Sequence, residues 1–374
     1  MKDEINTLLS KPASYYTGAL KITNNEFVFN KPVVLFGAAN MGILFKKFCT
    51  TNDINVLAFC DNDKNKVGTT ILNTKVISPS MLKQYCDSSV QIIITSSQDD
   101  EIKHQLTNYG FTNNCSHSYL STIYPAKFPT LCWSTNINYI INNSESIKKC
   151  FNLLKDSVSK KHFINILRYR LTLNNNYLAS IAYDHNKAYF DKNIIKLSKD
   201  EVFLDGGAFD GDTLKEFISI TNNNFNKVYC FEPDPKSYSK LKSFLVKLND
   251  SRIIPLKLGL GNKEESLYFA SEGNIQSKIV DSSKMKIKIV PIDNYIDQNF
   301  TFIKLDIEGH EKEALKGASK TIKSKKPKLA ICVYHHYQDL WEIPLLIKEQ
   351  NPDYDIYLRH YGHTLFDTIC YAKC

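Results

Sequence analysis

Residues 201–213 read EVFLDGGAFDGDT. Val202, Phe203 and Leu204 make a short apolar run of the kind that forms a buried strand. Asp205 closes the run, Gly206 and Gly207 follow, and a helical pattern opens near Thr213. Paired glycines let the backbone turn sharply and approach a ligand closely. In an open α/β sheet, ligands bind beyond the carboxyl ends of the strands. Asp205, Gly206, Gly207, Ala208, Phe209, Asp210 and Thr213 are therefore candidate binding residues, with the Asp205 carboxylate suited to a ligand ammonium. The structural alternative is a tight strand–helix turn in which Asp210 or Asp212 caps the helix. The turn lacks a P-loop lysine, and Asp210 and Asp212 would repel a phosphate at that helix start.

A second apolar strand, VYCFEPDP, ends in Glu232, twenty-seven positions after Asp205. A carboxylate at the end of the second strand is where a ribose diol is gripped in dinucleotide folds. Phe231, Glu232 and Pro233 join the set for that reason. In LKLGLG, the turn residues Gly259 and Leu260 are expected to line an adenine pocket. The polar stretch ASEGNIQSKI (270–279) is either a flap over the ligand or a plain surface connection.

FIKLDIEGHEKEALKGA brings Asp306 and Glu308 to the mouth of a further strand and opens a helix near Glu311. The plain reading of Glu308 and Glu311 is a favourable charge at a helix start. LAICVYHHYQDLWEIP ends a strand at His335 and His336, flanked by Tyr334, Tyr337 and Trp341. An imidazole there suits proton abstraction from a hydroxyl, and the aromatics suit a sugar ring. Asp306, Glu308 and His335 are the catalytic candidates, and Asp306 is also a cofactor-binding candidate. Asp306 and Glu308 are also oxygen ligands of the type Mg²⁺ takes, but no third ligand stands out, so no metal site is assigned.

Working outward, the pattern predicts three regions. Residues 200–374 carry strands EVFLDGG, KVYCFEP, RIIPLKL, ESLYFAS, KIKIVP, FIKLDIE, KLAICVYH, DIYLRH and TICYA. This implies an α/β fold: a mostly parallel, doubly wound sheet finished by an antiparallel hairpin across Tyr361–Gly362–His363. Residues 1–124 contain VVLF, NVLAFCD and VQIIITSS with helical patterns between them, a small Rossmann-like α/β domain. Residues 125–199 show helical spacing without strong strand signals and are expected to be a helical connector or lid.

The chain has 374 residues, 43% hydrophobic and 23% charged, with net charge +8. The lysines are scattered, which argues against a nucleic-acid partner. Ten cysteines include no C-x-x-C pair, so buried thiols in a reducing compartment are expected. The segment MKDEINTLLSKP has acidic residues and no apolar core, unlike a secretory signal, and no run is long enough to span a membrane. A cytoplasmic location is expected.

Together FLDGGAFDGDT, CFEPDP, IKLDIEGHEKEALKGA and VYHHYQDLWEIP resemble the FkbM-type methyltransferases, from about Tyr189 onward. The resemblance implies a class I methyltransferase sheet and S-adenosyl-L-methionine as cofactor. It also implies an oxygen acceptor on a small molecule or glycan, as in bacterial surface polysaccharide biosynthesis. It assigns Asp205, Gly207, Asp210, Thr213 and Glu232 to the cofactor, and Asp306, Glu308, Gly309 and His335 to the acceptor side. VVLFGAANMGILFKKF resembles the small nucleotide-sugar-binding domain at the front of some bacterial amino-sugar acetyltransferases. That implies a nucleotide-sugar partner near Gly37, Asn40 and Asp61, or else a structural or homodimerisation role. Ala39 stands where a second glycine is expected, and its Cβ would crowd a pyrophosphate. Two other functions compete with methyl transfer: a non-catalytic nucleotide-sugar scaffold, and an NAD-dependent oxidoreductase built on the first domain.

Overall fold

Short apolar runs become strands at the places their pattern marks, and their register fixes what meets at the strand ends. The computed structural model describes residues 1–96, 98–131, 133–184, 188–270, 278–279 and 285–374. The chain forms two compact units, one from Lys2–Asn143 with Leu167–Tyr177 and one from Ser144–Ile166 with Leu178–Cys374. Residues 125–199, read as a connector, are mainly helical and contribute to both units.

The first unit holds six strands: β1 (Val33–Phe36), β2 (Val56–Cys60), β3 (Thr70–Ile71), β4 (Thr74–Ile77), β5 (Gln91–Ile94) and β6 (Asn114–Ser116). Their order is β3-β4-β2-β1-β5-β6, parallel except for the β3–β4 hairpin. Three of the six were not expected from sequence; at two to four residues, β3, β4 and β6 are too short to show a period. A Cβ on Gly42 would lie 1.9 Å from the Gly37 carbonyl oxygen, so this glycine lets the helix Asn40–Thr51 pack against the turn after β1.

The second unit contains β7 (Val202–Gly206), β8 (Lys227–Phe231), β9 (Ile253–Leu256), β10 (Gly259–Leu260), β11 (Glu265–Ala270), β12 (Lys278–Ile279), β13 (Met285–Val290), β14 (Phe302–Leu305), β15 (Lys328–Cys332), β16 (Asp355–His360) and β17 (Thr368–Lys373). Seven of them form one sheet in the order β16-β17-β15-β14-β7-β8-β9. The five strands from β15 to β9 are parallel, and β17 lies antiparallel between β15 and β16. The C-terminal hairpin is therefore present. ESLYFAS and KIKIVP do not extend this sheet; as β11 and β13 they join β10 and β12 in a separate four-stranded sheet. The eight residues between β9 and β11 are too few for a parallel crossover, which takes a dozen or more. Ile287, Ile289 and Leu267 give that sheet its own small core.

Register partners in a parallel sheet share a face. On β7 and β14 this pairs Phe203 with Phe302, and Asp205 with Lys304. The two phenyl rings stack at 5.0 Å, and Phe217 of the helix Asp212–Ile220 packs on Phe203 at 4.7 Å. One step along, the Lys304 ammonium lies 3.0 Å from Asp205 Oδ1, with both side chains essentially inaccessible to water. The same ammonium donates to the carbonyls of Gly206 at 3.2 Å and Gly207 at 2.8 Å. Burial disfavours the charged lysine, but Asp205 and Asp306 hold its pKa above the ordinary lysine value.

Removing one partner of a buried ion pair strands the other charge, at a cost of about 3–5 kcal/mol. Lys304→Met should lower stability by that amount in urea unfolding. The double variant Lys304→Met, Asp205→Leu should recover most of it, because an apolar pair leaves no charge uncompensated.

Candidate functional site

β14, β7 and β8 are parallel neighbours, so their carboxyl ends share one rim. Gly206 pairs with Leu305 on one side and Phe231 on the other, so Asp306 and Glu232 flank Gly207 one residue further on. Gly207 has φ +77, and a Cβ there would lie 1.8 Å from the Asp306 carbonyl oxygen. No other residue fits without separating the strand ends. The Gly207 and Ala208 N–H groups both donate to the Phe231 carbonyl, at 3.0 and 3.1 Å.

Glu232 is buried at the rim. Its Oε2 accepts from Phe209 N–H at 2.9 Å and its Oε1 from Asp234 N–H at 2.8 Å. Each oxygen keeps a second lone pair, so the carboxylate can still accept from two hydroxyls. Burial pushes its pKa up to about 7, against the two backbone donors. Pro233 and Asp234 follow, and Asp234 caps the helix Pro235–Leu248 by accepting from the Lys236 and Ser237 N–H groups.

Asp205 lies deeper than expected. It is 0% exposed and paired with Lys304, so it braces the turn from below and does not face a ligand. The helix after the turn is capped by Gly211 at φ +90, not by Asp210 or Asp212. Thr213 is buried in its first turn, and Asp210 is half-buried, 4.0 Å from Lys215. Leu260, on β10 beside Gly259, comes close to the rim: a Cβ on Gly206 would lie 3.0 Å from its Cδ1. The flap ASEGNIQSKI falls mostly outside the described residues.

Beyond β14 the acceptor-side candidates gather around one buried imidazole. His335 Nδ1 is 3.0 Å from Glu311 Oε1, and its Nε2 is 3.4 Å from Asp306 Oδ1 and 3.6 Å from Glu308 Oε2. Burial opposes the imidazolium, yet Glu311, Asp306 and Glu308 push the His335 pKa up to about 10. Asp306 is held below the usual carboxylate range: burial would raise it, but His335, Lys304 and two tyrosine hydroxyls outweigh burial. Tyr189 donates to its Oδ2 at 2.6 Å and Tyr334 to its Oδ1 at 3.1 Å. Glu308 sits at φ +56 with its side chain 36% exposed, which makes it the solvent-facing member of the group. His336 turns away to Asp339, 3.2 Å from Nδ1.

One expectation changes here. Trp341 is 1% exposed inside the helix Asp339–Gln350, so it is core and offers no platform to a sugar. His335 lies buried between Glu311 on one side of its ring and Asp306 and Glu308 on the other. Sequence reading missed Lys304, Tyr189 and the inward role of Glu311. A lysine inside the apolar run FIKL was the available signal for Lys304, because a charge in a buried strand needs a partner. In the first unit, the Asp61 carboxylate accepts from Ala38 N–H at 2.7 Å and Asp63 N–H at 2.9 Å and pairs with Lys66, so it is already engaged by its own loop.

Residues 205–365 match the family described as Methyltransferase FkbM domain, and residues 29–115 match the one described as C2185-like, N-terminal. Hexuronic acid methyltransferase AglP of Haloferax volcanii is 27% identical over 146 residues, 36% of this chain and 59% of that protein. The match thus spans less than two thirds of that relative's length. The crystal structure of methyltransferase FkbM from Methylobacillus flagellatus KT superposes with TM-score 0.78 at 23% identity, over 99% of this chain and 97% of the other. That likeness shows the fold of the chain. The rim built from β14, β7 and β8 lies within the segment that matches the FkbM methyltransferase domain model.

Proposed function

We propose that the protein is an S-adenosylmethionine-dependent methyltransferase that methylates a hydroxyl of an acidic sugar during glycan assembly. The observation that carries this reading is the shared rim. There Glu232 and Asp306 flank a glycine that leaves no side chain between them. The donor set fits an adenosyl group: a buried carboxylate with acceptor capacity for both ribose hydroxyls, beside a glycine turn held open from below by Lys304.

S-adenosylmethionine supplies a methyl group on an already activated sulfonium. The protein therefore contributes mainly alignment, which can be worth roughly 7–11 kcal/mol. Glu232 grips the ribose. Asp306, fixed by Tyr189 and Tyr334, and Glu308, at the solvent edge, orient the acceptor hydroxyl and receive its proton as its oxygen takes the methyl group. The Haloferax volcanii relative is named for a hexuronic acid, which supports an anionic sugar. So does an open groove of about 450 Å³ lined by Asp210, Lys215, Lys236, Lys240 and Lys247. Lys240 lies 5.4 Å over the ring of Phe209, which connects that groove to the glycine turn.

Calorimetry with S-adenosylhomocysteine tests the donor half. Glu232→Ala should weaken binding by about 10–100-fold, the worth of hydrogen bonds to a charged acceptor; unchanged affinity sinks the ribose assignment. Only the ionised carboxylate accepts from both hydroxyls, so wild-type affinity should fall as pH drops through about 7, while Glu232→Gln should bind weakly and without that dependence. For the acceptor half, methyl transfer to uronic-acid oligosaccharides should have a KM that rises with salt. Lys236→Glu with Lys240→Glu should raise that KM and flatten the salt response, leaving kcat within about twofold.

A further inference from the structure

Tyr189 lies upstream of residues 205–365, yet its side chain reaches the group of residues after β14. Its neighbours Ala188 and Phe190 are 4% and 3% exposed. The Phe190 ring packs on Phe203 at 6.0 Å, Phe217 at 5.9 Å and Phe302 at 5.8 Å. The chain therefore sends two flanking residues into the core and the one between them to Asp306. It does so with a three-residue turn: the Phe190 N–H donates to the Ala188 carbonyl at 2.9 Å, and Tyr189 sits at φ +66. A turn of that kind is rare and strained for a residue with a Cβ. Such strain persists only where the surroundings impose it, and it concentrates at functional sites.

Both ends of the side chain are used. The hydroxyl donates to Asp306 Oδ2 at 2.6 Å. The ring centre lies 5.2 Å from the Lys304 ammonium, within cation–π range. That same ammonium holds the Gly206 and Gly207 carbonyls. One residue thus touches the carboxylate on the β14 side and the cation beneath the glycine turn. Packing alone does not call for a tyrosine here: phenylalanine would fill the same space with no polar atom to satisfy.

We propose that Tyr189 is a positioning residue of methyl transfer, whose hydroxyl aims Asp306 at the acceptor oxygen, so that the turn Ala188–Phe190 before β7 is part of the active site. The assignment rests on the methyltransferase reading, in which Asp306 receives the acceptor's proton. Tyr334 donates to the other carboxylate oxygen at 3.1 Å, so the two hydroxyls together fix the plane of the group, and Tyr189 supplies the shorter bond. Lys304 and His335 also favour the charged form of Asp306, Glu311 opposes them, and Glu308 faces the same imidazole.

The test compares wild type, Tyr189→Phe, Asp306→Asn and the double variant in methyl transfer from S-adenosylmethionine to uronic-acid oligosaccharides. S-adenosylhomocysteine calorimetry and thermal melting are run on the same samples. Tyr189→Phe keeps the ring over Lys304, so it should melt cooperatively and bind S-adenosylhomocysteine within about twofold of wild type. Its kcat should fall about tenfold or more, the worth of a hydrogen bond to a charged group. The acidic limb of its pH–rate profile should move to higher pH, because the lost donor stabilised the carboxylate. In the Asp306→Asn background the same change should cost little more, since the two groups act as one unit. A kcat within about twofold of wild type, an unmoved acidic limb, or a fully additive loss in the double variant overturns the assignment and leaves the methyltransferase reading standing. A wild type that binds S-adenosylhomocysteine but methylates none of these acceptors overturns the acceptor reading and this assignment with it; a wild type that does not bind it overturns the methyltransferase reading itself.

Discussion

One ammonium group holds the centre of the second unit. Lys304 reaches from β14 to the Asp205 carboxylate and to two successive carbonyls of β7 and its turn. A cation buried that completely survives only where several oxygens replace its water. Here those oxygens belong to the segment that has to turn sharply at the rim. The chain thereby ties its most demanding backbone conformation, Gly207 at φ +77, to the most buried charge pair beside it. Beneath the pair, the stacked Phe203 and Phe302 rings fix the same two strands in register.

The two sides of the rim are electrostatically distinct. On the β8 side, Glu232 is held by backbone donors and keeps acceptor capacity for neutral hydroxyls. On the β14 side, carboxylates, an imidazole and two tyrosine hydroxyls interlock, so each group is positioned by the next. The first side suits recognition of a neutral diol. The second suits chemistry at an oxygen that must lose a proton.

Much of this was legible in the sequence because apolar runs end where strands end. Asp205, Glu232 and Asp306 were each placed at a strand terminus by reading their own segment, and the family motifs placed the sheet. What stayed hidden depended on register between distant segments. Nothing local says that Lys304 faces Asp205, ninety-nine residues away, or that Tyr189 reaches Asp306. The two strands assigned to the wrong sheet, β11 and β13, have ordinary strand patterns; the eight-residue connection after β9 is too short for β11 to continue the parallel sheet, and β13 pairs antiparallel with β11. Trp341 looked like a site aromatic because sequence proximity to His335 does not reveal which face of a helix is inward.

The position of β17 between β15 and β16 constrains how the unit comes into being. A nascent polypeptide that has left the ribosome as far as residue 360 possesses β16, yet that strand has no hydrogen-bonding neighbour in the sheet until residues 368–373 arrive. β15 likewise presents a bare edge until then. Vectorial synthesis thus delivers an interior strand after the one it must support. The unit must complete its sheet after these residues emerge, with two strand edges open to wrong pairing in the interval.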